Sequence, residues 1–253
     1  MMERAPAHLD HAGVPLAYHS GAGRAPTIVF CGGFMSDMTG TKAMALAAHA
    51  RARGQAFVRF DYSGHGTSGG MMGEGTISRW LDDTLAILDQ VAQGPVLLIG
   101  SSMGGWLALL AALARPSQVK ALALVAPAPD FTERLMWAKF TADQRQSLLR
   151  EGHITQPSDY AETPYVITRA LIEDGRRHLL LDGPIPLDIP IRILHGQQDG
   201  DVPWRLSLEL AEKLTAQDLV TSLVKDGDHR LSRPADLARL MAAVDELSAA
   251  MAP

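Results

Sequence analysis

The chain has 253 residues, 47% of them hydrophobic, and a net charge of −5. That is enough apolar material for one sizeable core, and the charge offers no basic surface for nucleic acid or anionic membrane. A lone cysteine, Cys31, excludes an intramolecular disulfide and fits a reducing compartment. The first residues carry neither a signal-peptide core nor an Arg- and Ser-rich leader, and no run reaches ~18 apolar residues, so a cytoplasmic protein without membrane insertion is expected.

The first element in chain order is a hairpin, with residues 8–10 and 14–19 flanking Ala12-Gly13. Short apolar runs then alternate with helical periodicity. Strands at 27–30, 57–60 and 96–99 are followed by helices at 42–53, 77–91 and 103–115. Crossovers of this length join parallel strands, and their helices cover both faces of the sheet. After a strand at 122–125 the rhythm breaks: residues 127–190 hold helix-like pieces at 141–150 and 165–181 but no convincing central strand. It returns with 191–194, 204–214, 219–224 and 235–251. The pattern predicts one α/β domain over residues 1–253, with a mostly parallel sheet of about eight strands. Residues 127–190 are expected to form a helical cap over the edge where open α/β sheets bind ligands.

Gly100-Ser101-Ser102-Met103-Gly104-Gly105 lies between the strand at 96–99 and the helix at 103–115. It centres a Gly-x-Ser-x-Gly pattern on Ser102, the signature of a nucleophile elbow. Such a turn strains the serine backbone, and glycines at its flanks let neighbouring chain pass close by. Ser101 sits off the apex. A serine hydroxyl is a weak nucleophile until a base takes its proton and a third group orients that base. On this topology the expected order is serine, acid, histidine, each on a loop after a later strand. Asp199, in His195-Gly196-Gln197-Gln198-Asp199, and His229, in Gly227-Asp228-His229, meet that order. Asp201, just before Val202-Pro203, reads as a helix-start residue. Asp228 adjoins the histidine and is poorly placed to reach the far side of its ring. His65 and His195 face the same edge and are expected to line the pocket.

The oxyanion needs preformed donors. The backbone N–H of Met103 is one. Phe34, in Cys31-Gly32-Gly33-Phe34-Met35-Ser36-Asp37, is the choice for the other, with Met35 as the alternative. Cys31 has no basic neighbour to lower its pKa and reads as a buried structural residue. The glycine-rich stretch 61–70 lacks Gly-Lys-Ser/Thr, so it reads as a turn supporting the oxyanion loop rather than a phosphate cradle. No cluster has metal-ligand spacing, and nothing calls for a cofactor.

Several stretches together resemble the α/β-hydrolase superfamily over nearly the whole chain. They are Phe60-Asp61-Tyr62-Ser63-Gly64, the run from Gly100 to Trp106, Ala114-Arg115-Pro116, Ile193-Leu194-His195-Gly196, Val202-Pro203-Trp204 and Asp228-His229-Arg230. Thr41-Lys42-Ala43 and Gly183-Pro184-Ile185-Pro186 extend the similarity towards the abhydrolase-domain palmitoyl-protein thioesterases and acyl-glucuronide esterases. The resemblance implies hydrolysis of carboxylic esters or thioesters through an acyl-enzyme, with Ser102, Asp199 and His229 matching nucleophile, acid and base. The expected partner is a small-molecule or lipid-acyl substrate. Phe131, Leu135, Met136, Trp137, Phe140, Tyr160 and Tyr165 either line an acyl tunnel or pack the cap onto the body. Arg169, Arg176 and Arg177 either meet an anionic leaving group or form a solvated helix face. A perhydrolase or haloperoxidase-like enzyme, or a non-catalytic ligand-binding protein on the same fold, are the alternative readings.

Overall fold

The computed structural model describes residues 5–156 and 165–251. β1 (Ala7–His11) and β2 (Val14–Gly21) form the expected antiparallel hairpin. β3 (Arg24–Cys31), α1 (Thr41–Ala52), β4 (Gln55–Phe60), α2 (Ile77–Gln90), β5 (Val96–Ser101), α3 (Met103–Ala114) and β6 (Val119–Val125) follow in strict alternation. The 127–190 segment then supplies α4 (Ala142–Glu151), β7 (His153–Gln156), β8 (Tyr165–Thr168) and α5 (Arg169–Gly175). β9 (Ile191–Gly196), α6 (Arg205–Lys213), β10 (Leu219–Val224) and α7 (Pro234–Ala250) complete the chain.

The main sheet has eight strands in the order β1-β2-β4-β3-β5-β6-β9-β10. β2 runs antiparallel to both neighbours, and every pair from β4 to β10 is parallel. Side chains alternate across such a sheet, so each strand feeds two cores. Val29, Val96, Leu98, Leu122 and Leu124 meet Trp80, Trp106 and Leu107 on the side of α2 and α3. Ile28, Phe30, Leu97, Ile99 and Val125 meet Leu46, Leu240 and Val244 on the side of α1 and α7. β5 is buried along its whole length, which makes its carboxyl end a rigid support for the residue that follows.

The segment expected to be a helix over 165–181 is split. Its β-branched and aromatic start, Tyr165–Thr168, pairs antiparallel with His153–Gln156 as a separate two-stranded sheet, because such residues fit a pleated pairing better than a helix. Thr168 Oγ1 then accepts the Leu171 N–H at 3.1 Å and starts α5. α4 opens with a full capping box between Thr141 and Gln144. Buried Asp130 accepts the N–H groups of Leu180 and Leu181 at 2.8 and 2.9 Å, closing the segment on itself. Asp174 accepts from Ser78 N–H and Oγ–H at 2.7 and 2.8 Å, tying α5 to the start of α2. Trp106 Nε1–H donates to the His178 carbonyl at 3.1 Å.

Backbone approach is closest where β3 and β5 meet α3. A Cβ on Gly104 would stand 2.2 Å from the Cys31 oxygen and 2.4 Å from the Gly32 oxygen, both main chain. Gly104→Ala should therefore destabilise the fold by about 2–3 kcal/mol, a fall in Tm of about 5–10 °C for a chain of this size. Gly183→Ala, where nothing lies within 4 Å of the new Cβ, should leave the calorimetric Tm almost unchanged.

Candidate active site

Ser102 is the residue between β5 and α3, with φ +55° and ψ −120°, a conformation that costs a non-glycine residue of order 1–3 kcal/mol unless its surroundings impose it. Here they do. Ser102 N–H donates to the Val125 carbonyl at 2.9 Å, while Gly105 and Ala128 N–H groups donate to the Ser102 carbonyl at 2.9 and 3.1 Å. The hydroxyl is left facing a cavity of about 630 Å³.

His229, on the loop after β10, places Nε2 3.1 Å from Ser102 Oγ and Nδ1 2.7 Å from Asp199 Oδ2. A carboxylate only accepts, so Nδ1 carries the proton and Nε2 is free to accept from the serine. Asp199, after β9, is fully buried at its side chain. Its Oδ1 accepts the N–H groups of Asp201 and Val202 at 2.9 and 2.8 Å. Burial pushes the Asp199 pKa up, but donation from His195, His229 and Val202 outweighs it and holds the carboxyl well below the usual carboxylate range.

His195 faces that carboxylate from the other side. Its Nε2 lies 3.1 Å from both Asp199 Oδ2 and the Val202 carbonyl, two acceptors, so it donates; its Nδ1 accepts from Ser207 Oγ at 2.6 Å. The pocket-lining role expected of His195 gives way to one behind the acid, where it is fully buried. The Ile193-Leu194-His195-Gly196 stretch was the available signal, but contact between positions 195 and 199 depends on the turn between them. Asp201 lines the cavity, and the N-cap position of α6 is Trp204; Asp199 holds the turn before it through the Asp201 and Val202 N–H groups. Asp199, Asp201 and His229 offer donor atoms within 4.8 Å of one another, yet Asp199 already accepts four hydrogen bonds, its full lone-pair capacity.

The loop after β3 is braced by the stretch 61–70. Asp61 Oδ1 accepts the Met38 N–H at 2.7 Å, and Arg59 Nη1 donates to the Met38 carbonyl at 2.5 Å. His65 Nε2 accepts the Met35 N–H at 3.3 Å while its Nδ1–H faces the Ser63 carbonyl at 3.3 Å. Burial pushes the His65 pKa down to about 4, which keeps the ring neutral and able to accept. Met35, at φ +60°, thus spends its N–H on the histidine. Burial also pushes the Cys31 thiol up to about 12, so it is inert as a nucleophile.

One wall of the cavity is apolar, with Phe34, Phe131, Leu135, Met136, Tyr165 and Ile167. Phe34 packs 6.0 Å from both Phe131 and Tyr165 between ring centroids. Trp137 and Phe140 turn away and join Leu148, Ile154 and Ile172 in a core of the segment's own. Tyr160 lies outside the described residues. Arg169, Arg176 and Arg177 pair with Glu173, Glu133 and Asp174 and line no part of the cavity.

An eight-stranded, mostly parallel sheet with a strained serine at the β5–α3 turn defines an α/β-hydrolase. The chain belongs to the serine aminopeptidase S33 hydrolase family, which matches residues 24–174. It is 42% identical to the mitochondrial palmitoyl-protein thioesterase ABHD10 of Mus musculus over 233 residues, covering 92% of this chain and 78% of that one. The solved structure of alpha/beta hydrolase domain-containing protein 10 from mouse superposes with a TM-score of 0.91 at 38% identity, covering 98% of this chain and all of that one. A hydrolase of Agrobacterium vitis S4 gives 0.91 at 41% identity, covering 97% and 98%. The protein is therefore a serine hydrolase, and the non-catalytic reading falls.

The cytoplasmic expectation is overturned as well, because the mouse, bovine and human relatives are all mitochondrial enzymes by name. An unpaired buried cysteine fits any reducing interior and does not separate cytosol from organelle. Among the described residues no helix is long and apolar enough to cross a membrane.

Neutral His65 makes stability depend on pH. An unfolded histidine takes up its proton near pH 6.5, the folded one only near pH 4. Between these values the unfolded chain binds more protons, so this contribution is complete above about pH 6.5 and falls by about 3 kcal/mol as pH drops to about 4. Urea unfolding across that window should show the loss in wild type and a shallower slope in His65→Gln. Equal slopes would remove His65 as its source.

Proposed function

We propose that the protein hydrolyses acyl thioesters or esters, of the acyl-thioester or acyl-glucuronide type, through an acyl-enzyme on Ser102. The observation that carries this reading is the continuous chain from Ser102 Oγ to His229 Nε2 at 3.1 Å and from His229 Nδ1 to Asp199 Oδ2 at 2.7 Å.

Ser102 Oγ attacks the carbonyl carbon as its proton passes to His229 Nε2. Asp199 fixes the tautomer and balances the imidazolium that results. The carbonyl oxygen, now negative, is held by backbone N–H groups of Met103 and Phe34. Met103 opens α3, where an N–H has no partner within the helix. Phe34 is supported over Met35 because the Met35 N–H is already donated to His65. The tetrahedral intermediate collapses, the bond to the leaving oxygen or sulfur breaks, and His229 gives its proton to that atom. Water, activated by the same histidine, then adds to the acyl carbon and releases the acid and free Ser102. The apolar wall fits an acyl chain, and we place residues 127–190 as the cap that closes over it within one domain. The names of the relatives point the same way, to thioester cleavage.

Ser102→Ala should lose roughly 10⁴-fold or more in kcat with the fold intact, while Ser101→Ala loses far less. Mass spectrometry after fluorophosphonate treatment should find the adduct on Ser102; an adduct elsewhere would sink the assignment. Asp199→Asn should cost roughly 10⁴-fold in kcat by turning the imidazole to the wrong tautomer. Asp201→Asn should retain most activity, and the reverse ranking would move the acid to Asp201.

A further inference from the structure

The cavity at Ser102 has two unlike sides. Its aromatic and aliphatic wall has been described; the other side carries Lys42, Asp201, Arg230 and Ser232 beside His229. In the reading proposed above, on which this inference rests, His229 protonates the departing atom. The leaving group therefore departs past the polar side.

Lys42 is out of place by ordinary rules. It is the second residue of α1, a helix with no acidic residue in its first turn and no side-chain cap, where the helix dipole disfavours a cation. Its Nζ donates to the Arg230 carbonyl at 2.5 Å, and among the described residues it forms no ion pair. Burial is the main reason its pKa is pushed down to about 8; Arg230 adds to the effect and Asp228 opposes it. A partly buried cation without an anion costs stability, and folds retain such violations where function uses them.

We propose that the Lys42 ammonium selects the leaving group, favouring esters and thioesters whose departing alcohol or thiol carries a carboxylate or phosphate. An incoming anion supplies the direct ion pair that Asp228, acting only through its field, does not, in a site where charge-assisted hydrogen bonds are stronger than in water. The other charged and titratable groups around it are Asp37 ahead of α1, Asp228, His229 and Arg230 after β10, Asp201 after β9 and Lys139 from the segment above. Asp37 Oδ1 accepts from Thr39 N–H and Oγ–H and Asp228 Oδ1 accepts the Leu231 N–H; Asp228 acts on the Lys42 ammonium only through its field, and neither carboxylate forms an ion pair with it.

Two matched pairs test this. 4-Nitrophenyl butyrate against 3-carboxy-4-nitrophenyl butyrate varies a carboxylate; butyryl-pantetheine against butyryl-4′-phosphopantetheine varies a phosphate. Wild type should prefer the anionic member of at least one pair in kcat/KM, and the pair that responds identifies which anion. In Lys42→Met that ratio should fall about tenfold, whatever change the two members share, and Lys42→Arg should keep it. The wild-type ratio should also fall as pH rises through about 8, where Lys42 loses its charge, but not in Lys42→Arg; any pH effect common to both members cancels in the ratio. A ratio unaltered in Lys42→Met, or no preference in wild type, overturns the proposal and leaves Lys42 as a brace for the Arg230 carbonyl. Failure to turn over any of the four compounds would instead sink the hydrolase mechanism, and this inference with it.

Discussion

The whole site depends on one strained residue. Ser102 can hold φ +55° only because β5 is buried along its length and α3 is pressed against the end of β3. At Gly104 and Gly100 that contact leaves no room for a Cβ: at Gly100 one would stand 2.4 Å from the Gly104 oxygen. Packing on both faces of the sheet thus keeps a serine at a sharp apex, with its carbonyl and amide tied into the chain and its hydroxyl left for His229. The loop after β3 passes the same contact, so the proposed oxyanion donors and Ser102 are registered by a single close approach.

Asp199, the proposed acid, is held as firmly by charge and hydrogen bonding. Two histidines converge on Asp199 Oδ2 and two amides on Oδ1, so the carboxylate stays ionised although it is buried. Their jobs differ. His195 is fixed from behind by Ser207 and never sees the cavity, whereas His229 keeps one nitrogen for the serine. A carboxylate with every lone pair engaged cannot swing, and an acid that cannot swing fixes the plane of the ring it orients.

Legibility followed the range of the interactions. Strand and helix alternation is local periodicity, and it announced the doubly covered parallel sheet, the elbow at Ser102 and the loops that bear Asp199 and His229. The 165–181 stretch departs from the expected helix because its helical spacing competes with a β-branched start whose pairing partner, His153–Gln156, lies outside that stretch. His195 and His65 were seen as histidines near the edge but not as braces, since the contacts that define them depend on how turns fold back. Lys42 stood out only within Thr41-Lys42-Ala43, as part of a resemblance and not as a cavity residue: its place at the cavity is set by the docking of α1 against the loop after β10, which no periodicity records.

The two sides of the cavity divide the proposed reaction between two kinds of force. Apolar burial holds an acyl chain without regard to its neighbours and grows with each methylene by about 0.8 kcal/mol. Recognition of the leaving group rests instead on a few polar atoms beside His229, where a missing partner is penalised more sharply than a missing methylene. The aromatic wall around Phe34, Phe131 and Tyr165 therefore suits a family of chains, while the side that carries Lys42 suits a narrower set of alcohols or thiols. Because Phe34 belongs to the apolar wall and its backbone N–H is the proposed oxyanion donor, seating of an acyl chain against its ring bears directly on the loop that stabilises the transition state. In the proposed mechanism, acyl binding on one side and chemistry at Ser102 are linked through that one residue.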